Sequence, residues 1–303
     1  MLITGLGQCS LDYIAVVDTY PGVDKKEEVI EWQEQGGGPV ATALAALARL
    51  GVRCRFYGMT GDDSAGEKIR QSLAEEGIDI SGLKVREGAI SQKAFVAIEK
   101  DTAKRTIFWK RPSGDALKTD EIEKDFLKGS DFLLLDGLMK DASLYAAQRA
   151  KALNIPVMLD AGRLRPGMTD LARMADYVVA SEEFAKDLGW RISPSALAGE
   201  REKMGAEVLT VTLGERGSIS VARDGIIEAP AFEVNAVDTT GAGDVFHGGY
   251  IYGILRGWEL GDTIKFASAM AALKCMKIGG RAGIPKLNEI MKFLDERGHR
   301  GFS

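Results

Sequence analysis

The chain has 303 residues, 45% of them hydrophobic, and a formal net charge of -5. That composition supports one large buried core or two smaller ones, and the acidic balance excludes the basic footprint that nucleic acid or an anionic membrane surface requires. No basic segment leads into an apolar run at the start, and no stretch stays apolar long enough to span a bilayer, so the expectation is a cytoplasmic protein that acts on a small molecule.

Leu2 to Gly7 reads as a buried strand ending in glycines, with Asp12 just past its end. Tyr13 to Trp32 partly alternates around a turn at Pro21, Gly22 and Asp24, which predicts strands with one exposed face. Gly36-Gly37-Gly38-Pro39 then opens the alanine-rich helix VATALAALARL, closed by Gly51. Arg53 to Gly58 is a strand, and Gly66 to Glu76 a helix stopped by Gly77. QKAFVAIEK and RTIFWK are two strands about a polar turn at 101–104. Together with the earlier pair they make a small sheet, from about 13–35 and 90–111, suited to cover a site as a lid.

From Asp131 strands and helices alternate: FLLLDG, a helix over Ser143 to Leu153, IPVMLD, DYVVAS, a helix near Phe184, and EVLTVTL. Parallel strands need crossovers and are buried on both faces, so the pattern predicts a three-layer α/β/α sandwich with a mostly parallel central sheet. Ser218 to Ala222 and Ile226 to Ala229 flank Arg223-Asp224-Gly225 as an edge hairpin. The last third is helical over Asp244 to Arg256, Asp262 to Cys275 and Asn288 to Glu296, and residues 1–303 read as one domain with a discontinuous lid. Cys9, Cys54 and Cys275 are odd in number, without ligand-like spacing, and His247 and His299 are the only histidines. They read as buried reduced thiols rather than a zinc site.

The stretch Val237-Asp238-Thr239-Thr240-Gly241-Ala242-Gly243-Asp244-Val245-Phe246-His247-Gly248-Gly249 carries the chemistry. Small residues directly before an apolar helix leave backbone N–H groups uncovered at the helix's positive end, which favours an anion there. Asp244, in the first turn, is placed to take the proton from a hydroxyl that attacks a bound phosphoryl group. An Asp that only caps the helix is the plainer reading, but capping does not call for the glycines, or for Asp238 and the threonines upstream.

DTTGAGDVFHGG resembles the C-terminal signature of the PfkB, or ribokinase-like, carbohydrate kinases. The resemblance implies that Asp244 is the catalytic base, that Gly241, Ala242 and Gly243 form the anion hole, and that Asp238 and Thr240 match positions that in some members bind an activating monovalent cation such as K+. Gly36 to Ala43 is similar to the family's N-terminal glycine motif and Gly58 to Gly66 to its GxxGxDxxG stretch. On that likeness Asp12, Gly37 and Gly38 meet the sugar, with Thr42 where many members carry Asn. Thr212-Leu213-Gly214-Glu215-Arg216-Gly217 is similar to the TLGxxG loop that approaches ATP, which implicates Thr212, Gly214 and Gly217, and Gly280 in GGRAG is expected to border the adenine. Ser181-Glu182-Glu183-Phe184 stands where the family has NxxE, which leaves Ser181 toward the nucleotide and Glu182 or Glu183 for the magnesium of MgATP.

The chain's ending is especially similar to a sulfofructose kinase branch, yet Asp136-Gly137-Leu138 offers no arginine for a sulfonate; Lys26, Arg105, Lys110 and Arg111 near the lid remain candidates for an anionic sugar. Family likeness also implies a homodimer through the lid. A Rossmann dehydrogenase is disfavoured because the third glycine of GxGxxG falls at Ser10, a P-loop because GxxxxGK is absent, and a serine hydrolase because there is no GxSxG elbow; His247 reads as a packed helix residue. A nucleoside kinase stays open, because Tyr13, Trp32, Phe95 and Trp109 could stack on a base. A non-catalytic sugar or nucleotide sensor is the alternative outside catalysis.

Overall fold

The computed structural model describes residues 1–299 and 301–302. After β1 (Leu2–Leu6) the chain leaves the core as β2 (Ser10–Val17) and β3 (Val29–Gly37), then returns through α1 (Pro39–Arg49), β4 (Arg53–Gly61), α2 (Ser64–Glu75) and β5 (Asp79–Arg86). A second excursion is β6 (Lys93–Glu99) and β7 (Arg105–Lys110). Strands and helices then alternate through β8 (Phe132–Leu135), α3 (Lys140–Ala152), β9 (Val157–Ala161), α4 (Met168–Ala172), β10 (Tyr177–Ser181), α5 (Glu182–Asp187), α6 (Pro194–Met204) and β11 (Val208–Thr212). The hairpin β12 (Ser218–Ala222) and β13 (Ile226–Ala229) precedes α7 (Ala242–Leu255), α8 (Leu260–Cys275) and α9 (Leu287–Glu296).

The large sheet has the order β13-β12-β11-β10-β9-β8-β1-β4-β5, parallel from β11 to β5, with the antiparallel hairpin at one edge. Helices α1, α2, α7, α8 and α9 pack on one face and α3, α4, α5 and α6 on the other, each face sealing its own apolar cluster. This is the three-layer architecture the alternation implies. α1 starts with Pro39 in its first turn, and Val40 to Leu47 are all buried because α1 lies between the sheet and α7. The two helices approach closely where a Cβ on Gly248 would come within 2.8 Å of Ala46. Each buried Val or Leu of such a helix stabilises the fold by about 1.5–3 kcal/mol.

Strands β3-β2-β6-β7 make the small sheet, antiparallel except for the central β2–β6 pair. Asp12 lies inside β2, as part of this sheet rather than in a loop beyond β1. Side chains alternate across it. Ile14, Val16, Ala94, Val96 and Ile98 cluster on one face, while Trp32, Phe95 and Phe108 form an aromatic row on the other, with ring centroids 5.8 and 6.3 Å apart. Cys9 and Cys54 are buried free thiols, pushed up to about 12 by burial; Cys275 is also free but only half-buried, because it ends α8 beside the surface. Among the described residues no helix is long and apolar enough to cross a membrane.

Candidate active site

The strand order reverses between β1 and β8, and in open α/β sheets ligands bind beyond the carboxyl ends of the strands at such a point. A cavity of about 590 Å³ opens there, between the strand ends and the inner face of the small sheet. Asp12, Gly38, Asp160, Glu183, Thr212, Gly241 and Asp244 all line it. A second hollow, beside α9 and lined by Glu233, Lys292 and Phe293, has no glycine in its lining.

Gly241 caps α7 with a φ of 74°, and a Cβ there would come within 2.9 Å of the Gly280 Cα. Only glycine holds this left-handed turn without strain. A Cβ on Gly243 would meet nothing within 4 Å, so its missing side chain leaves the first-turn amides open to the cavity. Those amides carry the positive end of the helix dipole, about half an elementary charge. His247, one turn along, donates from Nδ1 to the Gly243 carbonyl at 2.6 Å. This fixes the tautomer and turns the unprotonated Nε2 toward Asp160 Oδ1, 3.6 Å away. Burial holds the imidazole below its usual range despite Asp244 nearby. His247 is therefore a packed helix residue that also lines the cavity floor.

Asp244 is half-buried beside this turn. Burial lifts its carboxyl to about 7, the Asp160 carboxylate adds to the rise, and His247 and Arg105 oppose it. Asp160, at the end of β9, is raised for the same reason, with Arg165 opposing. Asp136, after β8, also reaches about 7 but accepts from the Gln8 and Leu138 amides at 2.7 and 2.9 Å, which pins the ends of β1 and β8 together.

On the small-sheet side, Ser10 Oγ donates to Asp12 Oδ1 at 2.7 Å, and burial raises the Asp12 carboxyl. A Cβ on Gly37 would overlap the Asp12 carboxylate, so the glycine makes room for that acid; it does not itself reach the cavity. Gly38, at φ 97°, lies against the Gln8 carbonyl and does line the cavity. Thr42 is buried in α1, facing the core.

At the opposite end Thr212 and Ser181 line the cavity. Ser181 caps α5, accepting from the Phe184 amide at 3.0 Å and donating to the Gly162 carbonyl at 2.6 Å. Gly214 and Gly217 stand outside the lining, Gly217 because its bare α-carbon lies against the backbone of Ala229 to Ala231. Glu182, half-buried, is bonded to Arg216 at 2.6 Å and Lys186 at 2.7 Å, whereas the more exposed Glu183 lines the cavity and pairs with Arg163 at 2.9 Å. Glu183 and Asp160 could hold a hydrated magnesium brought in with a triphosphate. No cluster of three or more potential metal ligands occurs among the described residues, so a dehydrated metal cage does not fit.

Gly280 is buried against Gly241 instead of bordering the cavity, and Arg281 reaches the root of the small sheet, donating to the Gly37 carbonyl at 3.0 Å and Ser72 Oγ at 3.1 Å. Asp238 is completely buried, its carboxylate accepting from the Thr240 and Gly279 amides at 2.7 Å each. Lys274 Nζ, also fully buried, donates to the Asp238 carbonyl at 2.7 Å and stands 3.6 Å from Oδ2. Breaking a buried pair by removing one partner costs about 3–5 kcal/mol.

Sequence reasoning missed Asp160, Arg163, Arg165 and Lys274. Asp160 ends the strand IPVMLD, where a strand-end rule would have flagged it, and Lys274 is a lone cation in the apolar run FASAMAALKC. Of the proposed lid cations Arg105 and Arg111 line the cavity; Lys26 and Lys110 do not.

The family model described as "pfkB family carbohydrate kinase" matches residues 2–287. An ATP-dependent ribose-1-phosphate kinase from Halopiger xanaduensis is 27% identical over 97% of this chain and 98% of its own. A Thermotoga maritima ribokinase structure superposes with a TM-score of 0.83 at 25% identity, covering 97% of this chain and 99% of that one. An Escherichia coli structure in complex with ATP and Mg2+ superposes at 0.84 with 23% identity, covering 97% and 99%. A glycine turn open to the cavity, an acid in the first turn of α7 and a whole-length family match together place this chain in the pfkB family of carbohydrate kinases, enzymes that phosphorylate sugars with ATP.

Proposed function

We propose that Asp244 is the general base of this kinase and that its sugar substrate already carries an anionic group. The cavity admits the nucleotide along Thr212 and Ser181 and the sugar beside Asp12 and Gly38. A hydroxyl held by Asp12 gives its proton to Asp244 as it attacks the terminal phosphoryl group, whose oxygens gather at the Gly241–Gly243 turn. Magnesium supplies neutralisation of phosphate charge when it arrives with ATP.

The anionic sugar is supported by one observation: Arg105, Arg111, Arg163 and Arg165 all line the cavity. Arg163 is engaged by Glu183 at the nucleotide end, while Arg105 and Arg111 hang from or follow β7, on the face that covers Asp12. Arg165 is half-buried; burial lowers its pKa, Asp136 and Asp160 attract it, and Arg111 and Arg163 repel it, a repulsion that an added anion would relieve. The relative from Halopiger xanaduensis is named for a phosphosugar. ADP release should be at least about 10-fold more efficient with sugar phosphates or sulfonates than with the parent sugars, and Arg111→Ala should erase that preference through the sugar KM, leaving the ATP KM near wild type. Equal efficiency with neutral sugars, or an Arg111 effect confined to ATP, would overturn the anionic assignment. Nucleosides belong in the same panel, because Trp109 also lines the cavity.

The small sheet acts as the lid of one kinase domain, and its outer face joins two copies into a homodimer. Trp32 and Phe108 are 55% and 62% exposed there, a row that a second lid would cover. With ATP as the donor, the protein works in the cytoplasm.

A further inference from the structure

We infer that Lys274 is a built-in cation that holds the phosphate-binding turn in shape, so that this enzyme needs no dissociable monovalent ion. The inference concerns the same site as the kinase reading and rests on it only for the turnover measurement.

The geometry leaves no vacancy at Asp238. Its carbonyl takes the Lys274 ammonium at 2.7 Å, one carboxylate oxygen takes the Thr240 amide, and the other takes the Gly279 amide with the same ammonium 3.6 Å away. Both side chains are fully buried. A potassium ion needs several oxygens converging from different sides; here the two that Asp238 could offer already face an ammonium of the same charge. Thr240 Oγ1 is buried without a partner, but one hydroxyl is not a cation site. The ammonium is well placed to set the turn. The Val237 and Asp238 amides both donate to the Cys275 carbonyl, at 2.8 and 3.2 Å, so the end of α8 grips the segment immediately before Gly241. Lys274 extends that grip to the Asp238 carbonyl, and the Asp238 side chain passes it to Thr240 and to Gly279. Lys274 is a positioning residue: it touches neither sugar nor nucleotide.

The test compares potassium chloride with choline chloride at equal ionic strength, reading both melting temperature and ADP release. For the wild type, both should agree between the two salts, turnover within about twofold. Lys274→Ala should lose turnover on the order of 10-fold or more in choline, with potassium, and not choline, restoring part of it and raising the melting temperature. A wild type that potassium activates several-fold, or stabilises relative to choline, would overturn the inference, as would a folded Lys274→Ala with undiminished turnover in choline. If Lys274→Ala does not fold, the wild-type comparison decides alone. If no sugar elicits ADP release in either salt, the kinase reading fails while the melting temperatures still decide this one.

Discussion

Two carboxyls, Asp244 and Asp160, share the pocket floor, and on the proposed reading of Asp244 as the base their titration sets the pH dependence of turnover. Asp244 can accept a proton only when it is deprotonated, and burial together with Asp160 has raised it to about 7. Its catalytic form is therefore populated above that value and lost as the pH falls through it. The expected profile is a kcat/KM that rises with pH through an inflection near 7. Asp160→Asn removes a negative neighbour and should move that inflection to lower pH; an inflection that stays in place would show that Asp160 does not act on Asp244. Asp244 was legible in the sequence because its signals are local: a glycine turn and a helix start within a few residues. Asp160 had only its place at a strand end to mark it, and Arg163 and Arg165 had no local signal, because folding alone brings the end of β9 to the cavity that Asp244 lines. Glu182 and Glu183 could not be told apart until the first turn of α5 gave one to Arg216 and Lys186 and the other to the cavity lining.

Among the elements, those with strong periodicity and clear glycine punctuation were readable, and those stabilised mainly by tertiary contact were not. β5 was missed because Asp79, Ser81, Lys84 and Arg86 interrupt its apolar residues; it is an edge strand, half-exposed, that exists because β4 offers it a partner. α6 was missed because Leu197 is its one buried residue among eleven, so no apolar stripe marks it. The loop after α8 was read by its glycines as a nucleotide contact; in the fold the Gly280 backbone leaves no room for a side chain on Gly241, and Arg281 braces the small sheet. Glycine-rich sequence marks close backbone approach without saying what approaches. Gly217 makes the same point, since a Cβ there would overlap the Ala229 carbonyl. The lid and the phosphate-binding turn are coupled directly: Arg105 of β7 donates to Thr239 Oγ1, just ahead of Gly241. Lid position and turn geometry are thus joined through one side chain.

For the whole molecule, the parallel sheet sets a fixed floor of strand ends and the small sheet a roof, so substrates meet where the strand order reverses. The roof's two faces differ, one aliphatic and lining the cavity with Ala94 and Val96, the other bearing Trp32, Phe95 and Phe108. Light scattering should give the mass of a dimer, and Phe108→Glu should shift it to monomer by placing a charge in the shared face; a wild type that is monomeric at working concentration would remove this role. The three layers and the two excursions of the small sheet were readable from alternation, while the pairing of β2 with β6, strands some eighty residues apart, was reached only by placing the two excursions side by side. Every part of the account converges on proton removal by one carboxylate at the mouth of α7. The most direct test is Asp244→Asn, assayed for ATP affinity and for ADP release with the preferred sugar. The amide should leave nucleotide binding near wild type and lower turnover on the order of 10²-fold or more; a variant that phosphorylates the sugar at nearly the wild-type rate would contradict it.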